Sequence, residues 1–243
     1  MVDRARPTSR ELTVEIRNVI QDLPVLLTAP LYRRWHLRWG STPAEVASRL
    51  PGDSLMHGAQ YKSTRAINID APPEAVWPWL VQVGCLRAGW YSNVLLDNLT
   101  HPSATVIVPE LQRIEVGQWV PMSPKPSVRS GLKVHSFEAN RWLLWTTPDS
   151  TWAWQLAPTD HGTRLIARIN ARYDWRHPHW ALLGILLMEF GDFAMLRRML
   201  RGIKTRAEAL EHDHTQPVGM PAAVGTTGAR DDSSASRTLT TTR

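Results

Sequence analysis

The chain has 243 residues, 43% of them hydrophobic, which is ample for a buried core in one large domain or two small ones. A net charge of +6 admits an anionic partner, yet no groove-reading motif accompanies it, so nucleic acid finds no support. The single cysteine, Cys85, excludes an internal disulfide and a cysteine-based zinc site, and indicates a reducing compartment.

The first residues, "MVDRARPTSRELTVEIR", mix both charge signs where a secretory signal carries a continuous apolar stretch, so a cytoplasmic protein is expected. Thr8 and Glu11 read as a capping box, and Leu12, Ile16, Val19 or Ile20, and Leu23 continue at helical spacing. The next stretch, "YRRWHLRWGSTPAEVASRLPGD", alternates Arg or His with Trp. It then offers Ser41 or Thr42, followed by Pro43, as a second helix start. Residues 1–58 therefore read as a helical extension, packed on or tethered to the main domain. The apolar windows "VLLTAPLY" and "ALLGILLM" fall well short of the roughly 20 residues that cross a bilayer. They read as core or interfacial segments.

Period-two alternation marks the middle of the chain. "RAINID" sets Ile67 and Ile69 on one face, "LKVHSF" and "RWLLWTT" are short strand candidates, and "TWAWQLA" groups Trp152, Trp154 and Leu156. "APTDHGTR" supplies a hairpin turn. "RLIARINARY" places Leu165, Ala167, Ile169, Ala171 and Tyr173 on one face and Arg168, Asn170 and Arg172 on the other, a half-buried antiparallel strand. Two helical regions frame these strands. Glu74 to Val83 carries Val76, Trp77, Leu80 and Val83 on one stripe, with Pro78 early in the helix or kinking it. From about His179 to Leu210 a stripe of Leu183, Leu186, Phe190, Phe193, Leu196, Met199 or Leu200, Ile203, Ala207 and Leu210 predicts a long helix, which Gly184, Gly191 and Gly202 could bend. Residues 212–243 are rich in Gly, Ser, Thr and Pro and read as a disordered tail. An antiparallel sheet with one apolar face needs a cover, and the long helix supplies it, so the fold class is α+β over residues 59–211.

The segments "TRAINIDAPPEAVWPWLVQVG", "RAGWYSN", "LLDNL", "VPELQRIEVG" and "MLRRMLRGIKTRAE", in that order, resemble the START-like superfamily, also called SRPBCC or the polyketide cyclase/dehydrase and lipid transport group. "WHLRWGSTPAEVASRLPGD" further resembles a leader found before this domain in a bacterial subgroup. The resemblance covers about residues 60–210 and implies a helix-grip fold, in which a curved antiparallel sheet wraps the C-terminal helix around an internal cavity. Members bind lipids, sterols, aromatic polyketides or hormones, and some catalyse cyclisation or dehydration. The superfamily has no universal catalytic motif, so the fold alone stops short of an activity. Asn93, Val94 and Gln118 depart from the subgroup's pattern, which removes two acidic groups near the expected cavity mouth.

Ligand sites are mostly apolar with a few convergent polar groups. The residues expected to line the cavity are Trp90, Tyr91, Trp119, Trp152 and Trp154, with Tyr173, Phe190 and Phe193 as its far wall; Trp77 is expected to pack. For each tryptophan the plainer role is core. Polar candidates are Arg87, Tyr91, Asp97, Asn98, Glu110, Gln112 and His135, for which helix-end, surface or pairing roles are the plainer alternative. His177 with His179 and His212 with His214 are lone His-x-His pairs, too few for a metal site. With no Walker loop, GxGxxG, GxSxG or HExxH, no cofactor is called for. Arg33, Arg34 and Arg38, and the run Arg197, Arg198, Arg201, Lys204 and Arg206, could meet an anionic membrane surface or form an ordinary solvated face. The expected function is binding or transfer of a hydrophobic small molecule. The alternative is a cyclase, aromatase or dehydratase using the same cavity, with Tyr91, Asp97, Glu110 or His135 moving protons.

Overall fold

The computed structural model describes residues 31–92, 101–125, 127–128 and 131–215, together with Thr13, Ile16, Arg17, Ile20 and Pro24. The Thr8–Glu11 capping box, Asp97, Asn98 and residues 216–243 lie outside the described residues. In chain order the elements are α1 (Arg33–Leu37), α2 (Pro43–Ala47), β1 (Tyr61–Ile69) and α3 (Pro73–Val81). They continue with β2 (Trp119–Pro121), β3 (Gly131–Glu138), β4 (Trp142–Thr147), β5 (Ser150–Thr159), β6 (Gly162–Ala171), α4 (Pro178–Leu186) and α5 (Asp192–Thr215). The described strands form one curved antiparallel sheet in the order β1-β6-β5-β4-β3-β2, and α5 lies across its concave face. The α+β helix-grip arrangement is the one the chain has.

The alternation of the sequence sets the two faces. Leu165, Ala167 and Ile169 on β6 and Trp152, Trp154 and Leu156 on β5 all face the main core, because side chains two apart share a face. Register pairs large with small: Trp154 stands opposite Ala167, while Trp145, Trp152 and Ile169 form one row across three strands. The β5–β6 hairpin turns at Asp160 and His161, between the paired Thr159 and Gly162. A Cβ on Gly162 would lie 2.2 Å from the Ile69 carbonyl oxygen, and its φ of +142° favours glycine as well.

The convex face is where sequence reading and structure part. Arg168 and Asn170, expected on the open side of a half-buried strand, are 0% and 3% exposed because the leader covers them. Thr42 caps α2 in a full capping box with Glu45, and Pro43 opens the helix as the sequence predicts. Glu45 then receives both Nε and Nη2 of Arg164, at 2.7 and 2.9 Å. Arg168 donates to Thr64 Oγ1 at 2.9 Å, Asp53 at 2.6 Å, and the carbonyls of Glu45, Val46 and Ser48 at 2.7, 3.1 and 2.7 Å. Asn170 donates to the other Asp53 oxygen at 3.0 Å, and Leu50 packs with Ala66, Leu144, Ala153 and Ile166. Strand alternation shows that a face is polar; it does not show that another segment will satisfy it.

The long C-terminal helix is present but is not uniform. Residues Leu187–Gly191 form a π-turn between α4 and α5, ending at one of the glycines expected to interrupt it. Beyond it, Leu196, Met199, Leu200, Ile203 and Ala207 are fully buried, as their spacing predicts, and α5 packs on α3 and β1. The helix continues to Thr215, a few residues past the expected boundary at 211. Pro78 lies inside α3, whose Val76, Trp77, Trp79 and Leu80 are buried.

Candidate functional site

Between the concave face and the α4–α5 run is a cavity of about 670 Å³, partly open to solvent. Trp90, Leu132, Trp152 and Ile169 form the sheet side; Leu183, Leu187, Met188, Asp192 and Met195 form the helix side. Tyr173, Trp180, Gly184, Met122, Val128, the charged Arg172 and Asp174, and the β4–β5 turn residues Thr147, Pro148, Asp149 and Ser150 complete the lining. The lining is mostly apolar, in the size range of small-molecule sites.

The aromatic wall is ordered. Trp90 stacks on Trp152 with centroids 5.9 Å apart and planes 6° from parallel, and Trp152 stacks on Trp154 at 5.2 Å. Trp145 meets Trp90, Trp152 and Trp154 edge to face at 6.3, 5.4 and 5.6 Å, a favoured geometry for π-systems. Of the residues assigned to the lining from sequence, Trp90, Trp152 and Tyr173 border the cavity. Trp154 is fully buried behind Trp152, a core position set by its packing against Trp145. Trp119, on β2, lies under the Lys133 ammonium 4.6 Å from its ring and does not border the cavity. Tyr91 is also elsewhere: its hydroxyl donates to the Trp79 carbonyl at 3.0 Å and accepts from Gln82 at 2.9 Å, and Arg206 covers its ring.

Phe190 and Phe193 are not the far wall. Phe193 faces the leader, with the His36 ring stacked on it at 4.1 Å and Trp35 against its edge. The row that faces the cavity is Gly184, Met188, Asp192 and Met195. Following the aromatics along the helix picked the neighbouring row, and the π-turn, which holds more residues per turn than an α-helix, separates the phases of α4 and α5. The polar candidates among the described residues also lie away from the cavity. Arg87 donates to the carbonyls of Val81 and Trp119 at 3.0 and 3.3 Å, and Gln112 donates to Gln82 at 3.0 Å. Glu110 and His135 are exposed.

The group that sequence reading missed is Asp192, 3% exposed, at the junction of the π-turn and α5. Its Oδ2 accepts from the Tyr61 hydroxyl at 2.6 Å and from Arg65 Nη1 at 2.5 Å. Arg65 is itself fully buried, with Nε donating to the His36 carbonyl at 2.7 Å. Burial, with the adjacent Asp192 charge, pushes the Tyr61 phenol far above its ordinary range, so it remains a neutral donor. Asp192 Oδ1 has no hydrogen-bond partner, and neither has the Trp152 indole Nε1. At the rim the Glu189 carboxylate is held by Arg33 at 2.7 and 2.8 Å and accepts from Tyr173 at 3.4 Å; burial first and Glu189 second push the Tyr173 phenol up to about 12. Two acidic residues three apart, Glu189 and Asp192, in an otherwise apolar helical stretch are the sequence signal for this cluster. Among the described residues no group of three His, Cys, Asp or Glu side chains could hold a metal ion.

No family model matches the sequence, and no curated protein matches it. Among solved structures the chain is similar to a Polyketide_cyc-like protein from Corynebacterium glutamicum at 17% identity and TM-score 0.40, covering 64% of this chain and 97% of that one. It is also similar to an AHSA1-like protein from Aeromonas hydrophila at 16% identity and TM-score 0.35, covering 65% and 99%. A protein from Mesorhizobium loti gives 16% identity and TM-score 0.35, covering 65% and 100%. At such scores the fold assignment rests on this chain's own strand order and terminal helix.

Proposed function

We propose that the chain binds a hydrophobic small molecule in the cavity between the sheet and the α4–α5 run. The observation that carries this reading is the cavity itself, about 670 Å³ with Trp90, Trp152 and Leu132 on one side and Leu183, Leu187 and Met188 on the other. Burying ligand surface there contributes about 25 cal/mol per Å² before ordering costs. A lipid or an aromatic polyketide-like molecule has the right chemistry. The alternative of a cyclase or dehydratase is less supported, because Tyr91, Glu110 and His135 do not border the cavity.

Loading takes place at a membrane in this reading. Trp175, Trp180, Leu182, Leu183, Leu186 and Leu187 are exposed around the cavity mouth, with Arg172 and Arg176 beside them, a composition suited to an anionic lipid surface. The basic run expected for that role is engaged elsewhere: Arg197 and Arg201 lie over the Trp39 ring, and Lys204 binds Glu208. The protein is taken as cytoplasmic and peripheral; Cys85 is a buried free thiol whose pKa burial raises. Native mass spectrometry of protein purified from its own host, with thermal-shift screening of lipids and polyketides, tests the proposal. A co-purifying apolar mass or a raised Tm is expected. A bare protein that no compound stabilises would remove it.

A further inference from the structure

The outer wall of the cavity packs loosely, and the leader holds it in place. α4 supplies Trp180, Leu183 and Gly184 to the lining, yet of its nine residues Ala181 alone is buried, and its main packing partner is the π-turn that follows it. A helix this short depends on tertiary packing, and segments with few buried apolar contacts are the first to open. α1 ties the π-turn down at two places one helical turn apart. Arg33 Nε and Nη2 grip the Glu189 carboxylate at 2.7 and 2.8 Å; Glu189 also accepts from Tyr173, whose ring would lie 3.5 Å from a Cβ on Gly184 of α4. His36 stacks on Phe193, just beyond the π-turn, while its carbonyl accepts from Arg65, the partner of Asp192.

The two ties differ in what can reach them. Arg65 and Asp192 are sealed, with side chains 1% and 0% exposed, whereas those of Arg33 and Glu189 are 45% and 17% exposed. A guanidinium fork fits a phosphate as well as a carboxylate. Flanking Arg33 in the chain are the exposed Leu31, Tyr32, Arg34 and Trp35, apolar and aromatic side chains mixed with a cation, as suits a membrane interface. Glu189 follows the exposed Leu186 and Leu187, so this surface continues the cavity mouth. We propose that α1 is a latch on the cavity wall, opened when the phosphates of an anionic membrane take Arg33 from Glu189. The proposal rests on the cavity binding an apolar molecule and adds what times its exchange. Away from a membrane the latch keeps α4 over the cavity. At the membrane α4 and the π-turn come free, while the buried Arg65–Asp192 pair keeps α5 on the sheet.

Hydrogen–deuterium exchange of the full chain tests the latch in solution. Arg33→Met should speed exchange over residues 178–191 about fivefold, as for the loss of a partly exposed ion pair, and leave the strands unchanged. Arg33→Glu combined with Glu189→Arg re-forms the pair with reversed signs and should restore the wild-type rate. Unchanged exchange in Arg33→Met would overturn the latch. Transfer of N-phenyl-1-naphthylamine from the protein to vesicles that carry an energy-transfer acceptor tests the trigger. The wild type should release this probe several times faster to phosphatidylglycerol than to phosphatidylcholine vesicles, and Arg33→Met should release it quickly to both. If Arg33→Met instead slowed transfer to phosphatidylglycerol down to the phosphatidylcholine rate, Arg33 would be a plain membrane contact and the latch would be overturned. A wild type that takes up no probe would count against the cavity as a binding site, and the exchange measurement would still decide the latch.

Discussion

The two faces of the sheet bury polar groups in opposite ways. On the convex face Arg168 finds acceptors for all three of its nitrogens, and Asp53 and Asn170 close the network under the leader. On the concave face Asp192 Oδ1 and the indole N–H groups of Trp145, Trp152 and Trp154 are buried without partners. Complete satisfaction marks a joint whose work is to hold the leader to the sheet. Incomplete satisfaction within the tryptophan cluster gives up indole hydrogen bonds for stacked and edge-to-face ring packing. Burial alone would have treated the two as equal.

The largest test of that contrast is Arg168→Met. It strands the Glu45, Val46 and Ser48 carbonyls and the Asp53 carboxylate, and breaking such a buried pair should cost about 3–5 kcal/mol in urea unfolding. Next is Tyr61→Phe, which removes a donor to the Asp192 carboxylate and should cost about 1.5–3 kcal/mol by the same measurement. A smaller effect is expected from pH. Burial first, and the Arg65 and Arg197 charges second, hold His36 below its ordinary value of 6.5. Between that lowered value and 6.5 the unfolded chain binds a proton at His36 that the folded chain does not. Stability therefore falls as pH drops through this window. Urea midpoints at about pH 7.5 and about pH 5.5 should differ more for the wild type than for His36→Phe, and equal differences would assign the acid sensitivity elsewhere.

On the concave face the sign of the contrast changes. Trp152→Phe deletes an unsatisfied N–H along with part of a ring, so its stability cost should be only about 1 kcal/mol, well below that of Arg168→Met. A cost above that of Arg168→Met would mean that the concave-face tryptophans are structural in the same sense as the arginines. The smallest effect on stability belongs to Leu187→Glu at the exposed mouth, which should leave Tm nearly unchanged. It should nevertheless reduce co-sedimentation with phosphatidylglycerol vesicles. Equal sedimentation would remove the mouth as the membrane contact.

Much of the fold was legible because it follows from local pattern. Ser41 or Thr42 followed by Pro43 states a helix start, and the alternation of Trp152, Trp154 and Leu156 states a buried face. The site was less legible because it depends on relations that no window contains. Trp90 and Trp152 are far apart in sequence and meet only through the closed sheet. Asp192 belongs to a row that the π-turn brings to the cavity, and an apolar stripe drawn at constant spacing passes it by. Tyr91 looked like a site residue for its chemistry, yet Gln82, Trp79 and Arg206 use all of it for packing. The polar side of β6 gave no hint that residues more than a hundred positions earlier would cover it.

The near-parallel pair Trp90 and Trp152 has a consequence for spectroscopy. Two indoles 5.9 Å apart with planes 6° from parallel, and a third edge-on to both, are close enough for their electronic transitions to couple. The near-ultraviolet circular dichroism of the native protein should carry the signature of that coupling. Any molecule that fills the cavity lies against this pair, so the amplitude of the band gives an optical readout of occupancy that needs no label.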